Sequence, residues 1–398
     1  MVRAIGRLYA DAFRGLPAPV WRLSIGLFVN RAGTMVLPFL SLYLVRELGF
    51  DAGAASTALA AFGLGSVAGS YAGGVIAGRV GTLRVQIWSL VLAGAGFLLV
   101  SQVRGFAAVT AAMFLVSAVG DAFRPACITA IVEASTPELR PRAMGLMRLA
   151  ANAGIAVGPA VGGLLAGIDY GWIFVGEAVT CWAAAAWLSW SMRGEWRSAR
   201  ARRPASTAGA GSLWRDPRFL GLLALVFVLG LVLYQVFSTL PLYLTSDYHL
   251  NETQVGLLFA FNAALIVAFE MVLIKLLERR RPEAVMGLGM FLMCAGFGML
   301  PFGSGLAYAA LTVAVWTVGE MLSLPFSNVL VAEYAGAGRA ATAIGMYSAV
   351  FSVDLVLAPL VGLGVLERFG GDVLWTACGL VGVPLWILCA ALRVRAQR

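Results

Sequence analysis

Residues 218–246 read RFLGLLALVFVLGLVLYQVFSTLPLYLTS. An α-helix needs about 20 mainly apolar residues to cross the hydrocarbon of a bilayer. This run exceeds that length and lacks the alternation of an outer-membrane barrel strand. It reads as a transmembrane helix. Working outward, eleven more segments have the same character: 20–45, 52–78, 83–103, 106–134, 143–167, 171–192, 252–277, 283–303, 305–335, 340–366 and 371–392. The fold class follows as an all-α membrane protein with twelve transmembrane helices.

Composition agrees. The 398 residues are 60% hydrophobic and 12% charged, with a mean hydropathy of +0.86. Soluble domains average about 25% charged, and a core of this size cannot absorb the surplus apolar surface, so it must face lipid. Met1–Pro19 is dotted with arginine and has no apolar stretch of a cleaved signal peptide before the first segment. The five cysteines lie inside apolar segments without metal-ligand spacing and read as small buried hydrophobes. The sole histidine, His249, falls between segments. Neither a metal site nor a cofactor is expected, and no GxxxxGK[ST] loop points to ATP. An enzyme is therefore not expected.

The basic residues set an orientation. With the N-terminus in the cytoplasm, all but five of the 29 Lys and Arg lie on the cytoplasmic side or the adjacent helix ends. The exceptions are Arg46, Arg104 and Arg368 in outer loops, and Arg31 and Arg124 inside segments. This is the positive-inside pattern of an inner-membrane protein with both termini cytoplasmic. The net charge of +9 is accounted for by topology, and no nucleic acid partner is expected.

The chain repeats itself. At a shift of 200 residues Pro125 meets Pro325, Glu133 meets Glu333, Gly145 meets Gly345, Pro159 meets Pro359 and Gly162 meets Gly362. Tyr43-Leu44 likewise meets Tyr243-Leu244. The expected organisation is a six-helix half at 1–192, a cytoplasmic linker at 193–217 rich in Arg, Ala and Gly, and a second six-helix half at 218–398. Parallel halves about an axis normal to the membrane are a transporter architecture.

Three stretches carry a family resemblance. GGVIAGRVGTLR (73–84) resembles the loop pattern between the second and third spans of the major facilitator transporters. GIAVGPAVGG (154–163) resembles the Gly-Pro motif of that family's proton-coupled antiporters, and FRPACITAIVEASTPELRPRAMGLMR (123–148) resembles a segment of its bacterial drug exporters. The resemblance implies gate and motif roles for Gly74, Arg79, Gly81, Arg84, Gly154, Gly158, Pro159 and Gly162. Where the family's loop has Asp this chain has Gly78, and the repeat offers Glu278 in the other half. The resemblance also implies that segments 1, 4, 7 and 10 line a central cavity, joined by faces of 2, 5, 8 and 11. On their own chemistry, Gly154, Gly158, Gly162 and Gly163 present a flat helix face to a close neighbour, and Pro159 permits a bend.

Intramembrane charges are the functional signal. Each costs about 2.5–3.5 kcal/mol on insertion scales and faces a bundle interior or a wet cavity. Asp121, Glu270, Glu320 and Asp354 are candidate proton carriers. Arg31 is expected to meet an acid from another helix or an anionic group. Asp121 and Arg124 share a helix face and can pair, and Glu177 can cap or anchor a helix. Substrate-binding candidates are Asn30, Arg31, Arg124, Tyr234, Gln235, Asn262, Trp316 and Asn328, with Tyr43 and Tyr347 near them. The function expected is proton-coupled export of small amphipathic molecules by a monomer. The alternatives are proton-coupled import of a small anionic solute, peptide or siderophore, and lipid translocation.

Overall fold

The computed structural model describes residues 15–136, 139–194, 213–277, 280–335 and 340–396. Glu278 lies outside them. The chain forms twelve helical spans, α1–α12, and no strand occurs among the described residues. Span α1 runs Ala18–Ala32, breaks, and resumes as Val36–Leu42 with a π-turn Tyr43–Glu47. Spans α2 and α3 are Ala52–Val80 and Thr82–Gln102. Span α4 is Phe106–Gly120 and, after a break, Phe123–Glu133. Spans α5 and α6 are Arg140–Ala166 and Gly171–Ser191. Span α7 comes in three pieces, Pro217–Leu233, Gln235–Ser238 and Leu240–Ser246. Spans α8 to α12 are Glu252–Leu277, Pro282–Gly298 with a 3₁₀ turn Leu300–Phe302, Gly305–Ala335, Ala340–Phe369 and Gly371–Ala396. Eleven spans are long and apolar enough to cross a membrane, and α9, at 17 residues, is the short one.

The repeat is visible in the element starts. Residues 52, 82, 140 and 171 begin α2, α3, α5 and α6, and residues 252, 282, 340 and 371 begin α8, α9, α11 and α12. Within the first half α2 packs on α4, α3 on α6 and α1 on α5. In the second, α9 packs on α10 and α12, and α7 on α11. The halves meet along α5–α8 and α2–α11, and where Val36–Leu42 of α1 packs on the last two pieces of α7. Twelve antiparallel spans put Ala18 and Ala396 on one membrane side, here the terminal side. The α1–α7 contact is on the other, far side. Large apolar side chains such as Tyr71, Trp88, Leu164, Leu276 and Leu380 remain exposed, as a lipid-facing surface requires.

Proline accompanies each broken span without forcing it, since Pro159, Pro325, Pro359 and Pro384 lie inside continuous ones. Proline lacks an N–H and leaves the carbonyl four residues before it unpaired. Pro38, Pro125 and Pro241 sit four residues after Thr34, Asp121 and Phe237, beside the breaks in α1, α4 and α7. Pro325, the repeat partner of Pro125, lies inside the continuous α10. The break in α1 frees backbone donors at depth, which a bilayer does not tolerate unpaired. Glu177 of α6 accepts both, from Met35 N (3.2 Å) and Val36 N (2.7 Å). It thus caps the resumed helix of a neighbouring span.

Candidate transport site

The most unusual side chain is Asp354 in α11. It is 0% exposed, and neither carboxylate oxygen has a hydrogen-bond partner. No cation pairs with it among the described residues. It fits because α7 has a glycine opposite: a Cβ on Gly230 would lie 1.9 Å from Asp354 Oδ2. One turn along α7 is Tyr234, whose hydroxyl feels the charges of Asp354, Asp121 and Arg124.

Aromatic rings extend from that point. Tyr234 touches Phe351 and Phe237, Tyr347 packs edge-on against Phe351 at 5.0 Å, and Phe237 stacks on Phe259 of α8. Tyr347 also shares a hydrogen bond of 2.8 Å with Ser327 of α10. The rings join α7, α8 and α11 into an amphipathic wall of the kind that receives small organic molecules.

A second acid lies on α10. Glu320 Oε2 accepts a hydrogen bond from Asn262 Nδ2 of α8 at 3.2 Å, and Asn262 also donates to Thr317 at 2.9 Å. Glu270, two turns further along α8, is buried and ion-paired with Arg148 of α5. Glu320 lies within electrostatic reach of both.

In the N-terminal half Asp121, Arg124 and Glu177 all act on Arg31. No carboxylate reaches ion-pair distance of Arg31 or Arg124 among the described residues. Asp121 and Arg124 thus do not form the pair their spacing allows, while Arg31 has Asp121 and Glu177 near it without an ion pair. For Asp121 and Arg124 the reason is local: the break at 121–122 interrupts the helix that would have put them on one face. Arg124 is exposed, and Arg31 is half-buried.

The remaining candidates divide. Asn30 donates only to Cys181 Sγ, at 3.8 Å, and Asn328 bonds its own helix at Leu324 O. Gln235 is fully engaged: Nε2 donates to Leu231 O and Ala358 O, while Oε1 accepts from Ser238 and Thr239. It ties the broken part of α7 to α11 and has no free valence for a ligand. Trp316 is buried, stacked on Phe297 of α9, which stacks on Trp375 of α12. It packs in the core of the C-terminal half, between α9 and α10. Tyr43 accepts from Arg104 on the far side.

The motif glycines make close helix contacts. A Cβ on Gly154 or Gly158 would meet the backbone of α1 at 2.7–2.8 Å, and one on Gly162 would press on Met35 at 3.0 Å. Pro159 O and Gly163 crowd Gly256 of α8 in the same way. This ridge lets α5 touch α1 and α8 at once. The segment 73–84 is helical except at Gly81, which turns the chain at φ +99° between α2 and α3; a Cβ on Gly74 or Gly78, in the last turns of α2, would meet nothing, and Arg79 and Arg84 are exposed. Thr82 donates to Glu133.

On the far side one acid joins the halves. Glu252 Oε1 pairs with Arg46 at 3.1 Å and accepts from Tyr170 at 2.9 Å, while Thr253 bonds Gly163 O. Arg148, Glu252, Phe237, Phe259 and Phe351 were not singled out from sequence. A charge at a span end looks like topology, and a lone Phe in an apolar run carries no signal.

Comparison with known proteins completes the picture. The model of the Major Facilitator Superfamily matches residues 23–359. The multidrug resistance protein MdtH of Aeromonas hydrophila is 24% identical over 379 residues, covering 92% of this chain and 94% of its own. The uncharacterized MFS-type transporter YttB of Bacillus subtilis is 23% identical, covering 89% and 90%. Among solved structures, a POT family transporter in complex with 5-aminolevulinic acid superposes with a TM-score of 0.81 at 14% identity, over 97% of this chain and 98% of that one. The peptide transporter POT in complex with sulfate gives 0.77 at 17%, over 97% and 96%. These last two likenesses establish the fold. A match over most of the chain, on twelve spans in two repeated halves, makes this protein a multi-pass membrane transporter of the Major Facilitator Superfamily.

Proposed function

We propose that the protein is a proton-coupled exporter of small amphipathic compounds, working as a monomer in the bacterial inner membrane with both ends in the cytoplasm. The carrying observation is Asp354, a buried carboxylate with neither a protein hydrogen bond nor a cation among the described residues. Burying an ionised carboxylate without a partner costs several kcal/mol, and a bound proton removes that cost. A proton drives alternating access only if it binds the two states differently, and a site that opens between α7 and α11 meets that condition. Glu320, with one neutral donor, is the second carrier. The ring wall beside Tyr234 suits amphipathic molecules, and similarity to proteins named for multidrug resistance over nine-tenths of both chains favours export. The spread of arginines supports the orientation, and the halves are assigned to 1–192 and 218–398 with the linker between.

The test uses purified protein in liposomes and the dye ethidium as probe, with and without an imposed pH gradient. Asp354→Asn and Glu320→Gln should lose gradient-driven transport and keep gradient-free exchange. If both variants keep full gradient-driven transport, neither acid carries the proton. A second reading, import of an anionic solute, rests on Arg31 and Arg124 standing without ion pairs. Proton-driven accumulation of an anion from the far side would establish it over export.

A further inference from the structure

Arg148 belongs to the N-terminal half, yet the charged and phenolic groups it acts on belong to the other. It pairs with Glu270 of α8 and influences Glu320 of α10 and Tyr347 of α11. Its side chain is 45% exposed while that of Glu270 is 8% exposed. An exposed arginine of one half thus reaches a buried acid of the other. The placement matters because the close backbone contacts of α5 with α8 lie toward the far side, at Gly163 and Gly256, whereas Arg148 and Glu270 sit nearer the terminal-side ends of the same two spans. We propose that Arg148 is a positioning residue for coupling: its bond to Glu270 holds α5 and α8 together on the terminal side, and a proton arriving on Glu270 releases it.

The inference rests on the proton-coupled reading. The groups that face Glu270 are few. Span α5 offers Arg148, α10 offers Glu320, and Tyr347 of α11 approaches through Arg148. The piece of α7 packed on α8, Leu240–Ser246, carries Tyr243, which is bonded to Asp372 on the far side. With Glu270 ionised, the arginine is held. With one proton added, the attraction across the halves falls. A neutral donor such as Asn262 fixes the orientation of Glu320 without cancelling its charge.

The experiment measures distance between the halves. All five native cysteines are buried, so single cysteines placed at the exposed Trp190 of α6 and Leu388 of α12 take spin labels selectively. Distance distributions are recorded in liposomes in acid and alkaline buffer. In the otherwise unchanged protein the terminal-side distance should lengthen on acidification. Glu270→Gln and Arg148→Gln should give the long distance in both buffers, and Arg148→Lys should restore the shift. A pH-dependent distance that persists unchanged in Arg148→Gln would overturn the proposal. So would a wild-type distance that ignores pH. Gradient-driven ethidium transport, measured on the same samples, reports separately on the proton-coupled reading. Its loss in the wild type with the distance switch intact would remove that reading and leave the role of Arg148 standing.

Discussion

At the scale of the residue, Asp354 owes its place to a missing side chain. Span α7 presents Gly230 to it, and any Cβ there would collide with the carboxylate. Gly230→Ala should therefore destabilise through overpacking, by about 1–3 kcal/mol, with a drop in the thermal midpoint in detergent. The same substitution made in the Asp354→Ala background should cost much less. Contacting residues couple by about 0.5–3 kcal/mol in such cycles. Equal costs in the two backgrounds would mean that the carboxylate is not what fills the space. The sequence made Asp354 visible, because a charge in the middle of an apolar run is rare and expensive. It could not show Gly230 as the counterpart, since two residues 124 positions apart leave no local pattern. Arg148 was hidden for another reason. Near the start of α5 it is one more arginine among those that set topology, and only its reach to Glu270 separates it from Arg142.

At the scale of the element, the spans were legible and their breaks were not. Length, apolarity and the 200-residue register give twelve helices and their pairing across the halves. The same register would make α4 and α10 alike, yet α4 breaks beside Pro125 and α10 runs through Pro325. A proline permits a break, and tertiary partners decide whether it occurs. In α7 the partner is Gln235, whose amide satisfies Leu231 O within the span and Ala358 O on α11. Gln235 read from sequence as a ligand group, because a polar residue in mid-span fits either role. Gln235→Leu leaves these buried groups unpaired, each at about 1–3 kcal/mol. The expected result is a lower thermal midpoint and loss of both gradient-driven transport and gradient-free exchange. Asp354→Asn, by contrast, should keep exchange. A Gln235→Leu protein with normal exchange would return Gln235 to the cavity as a ligand group.

At the scale of the whole molecule, the two halves are joined unequally on the two membrane sides. On the far side Glu252 collects Arg46 and Tyr170 on one oxygen, and the resumed pieces of α1 and α7 pack together beside it. Alternating access requires this join to open when the halves rock about the central site. Its strength should then set how often the far side opens. Arg46 is 41% exposed, so solvent screens the pair, and exposed pairs contribute about 0.2–1 kcal/mol. Removing the charge should shift the population of the far-side-open state by up to about fivefold, since about 1.4 kcal/mol is tenfold. Glu252→Gln keeps the size of the side chain and an oxygen for Tyr170, and so isolates the charge. With spin labels on Gln102, which ends α3, and Ser304 in the loop before α10, both exposed on the far side, the long-distance fraction should rise by that factor in the variant. High salt should raise it in the wild type and change little in Glu252→Gln, because screening acts on a pair that the variant no longer has. If the variant keeps both the wild-type fraction and the wild-type salt response, the closure is held by the packing of α1 on α7 alone. The far-side barrier would then be set by apolar contact, and rocking would depend on the charges of the central and terminal-side acids.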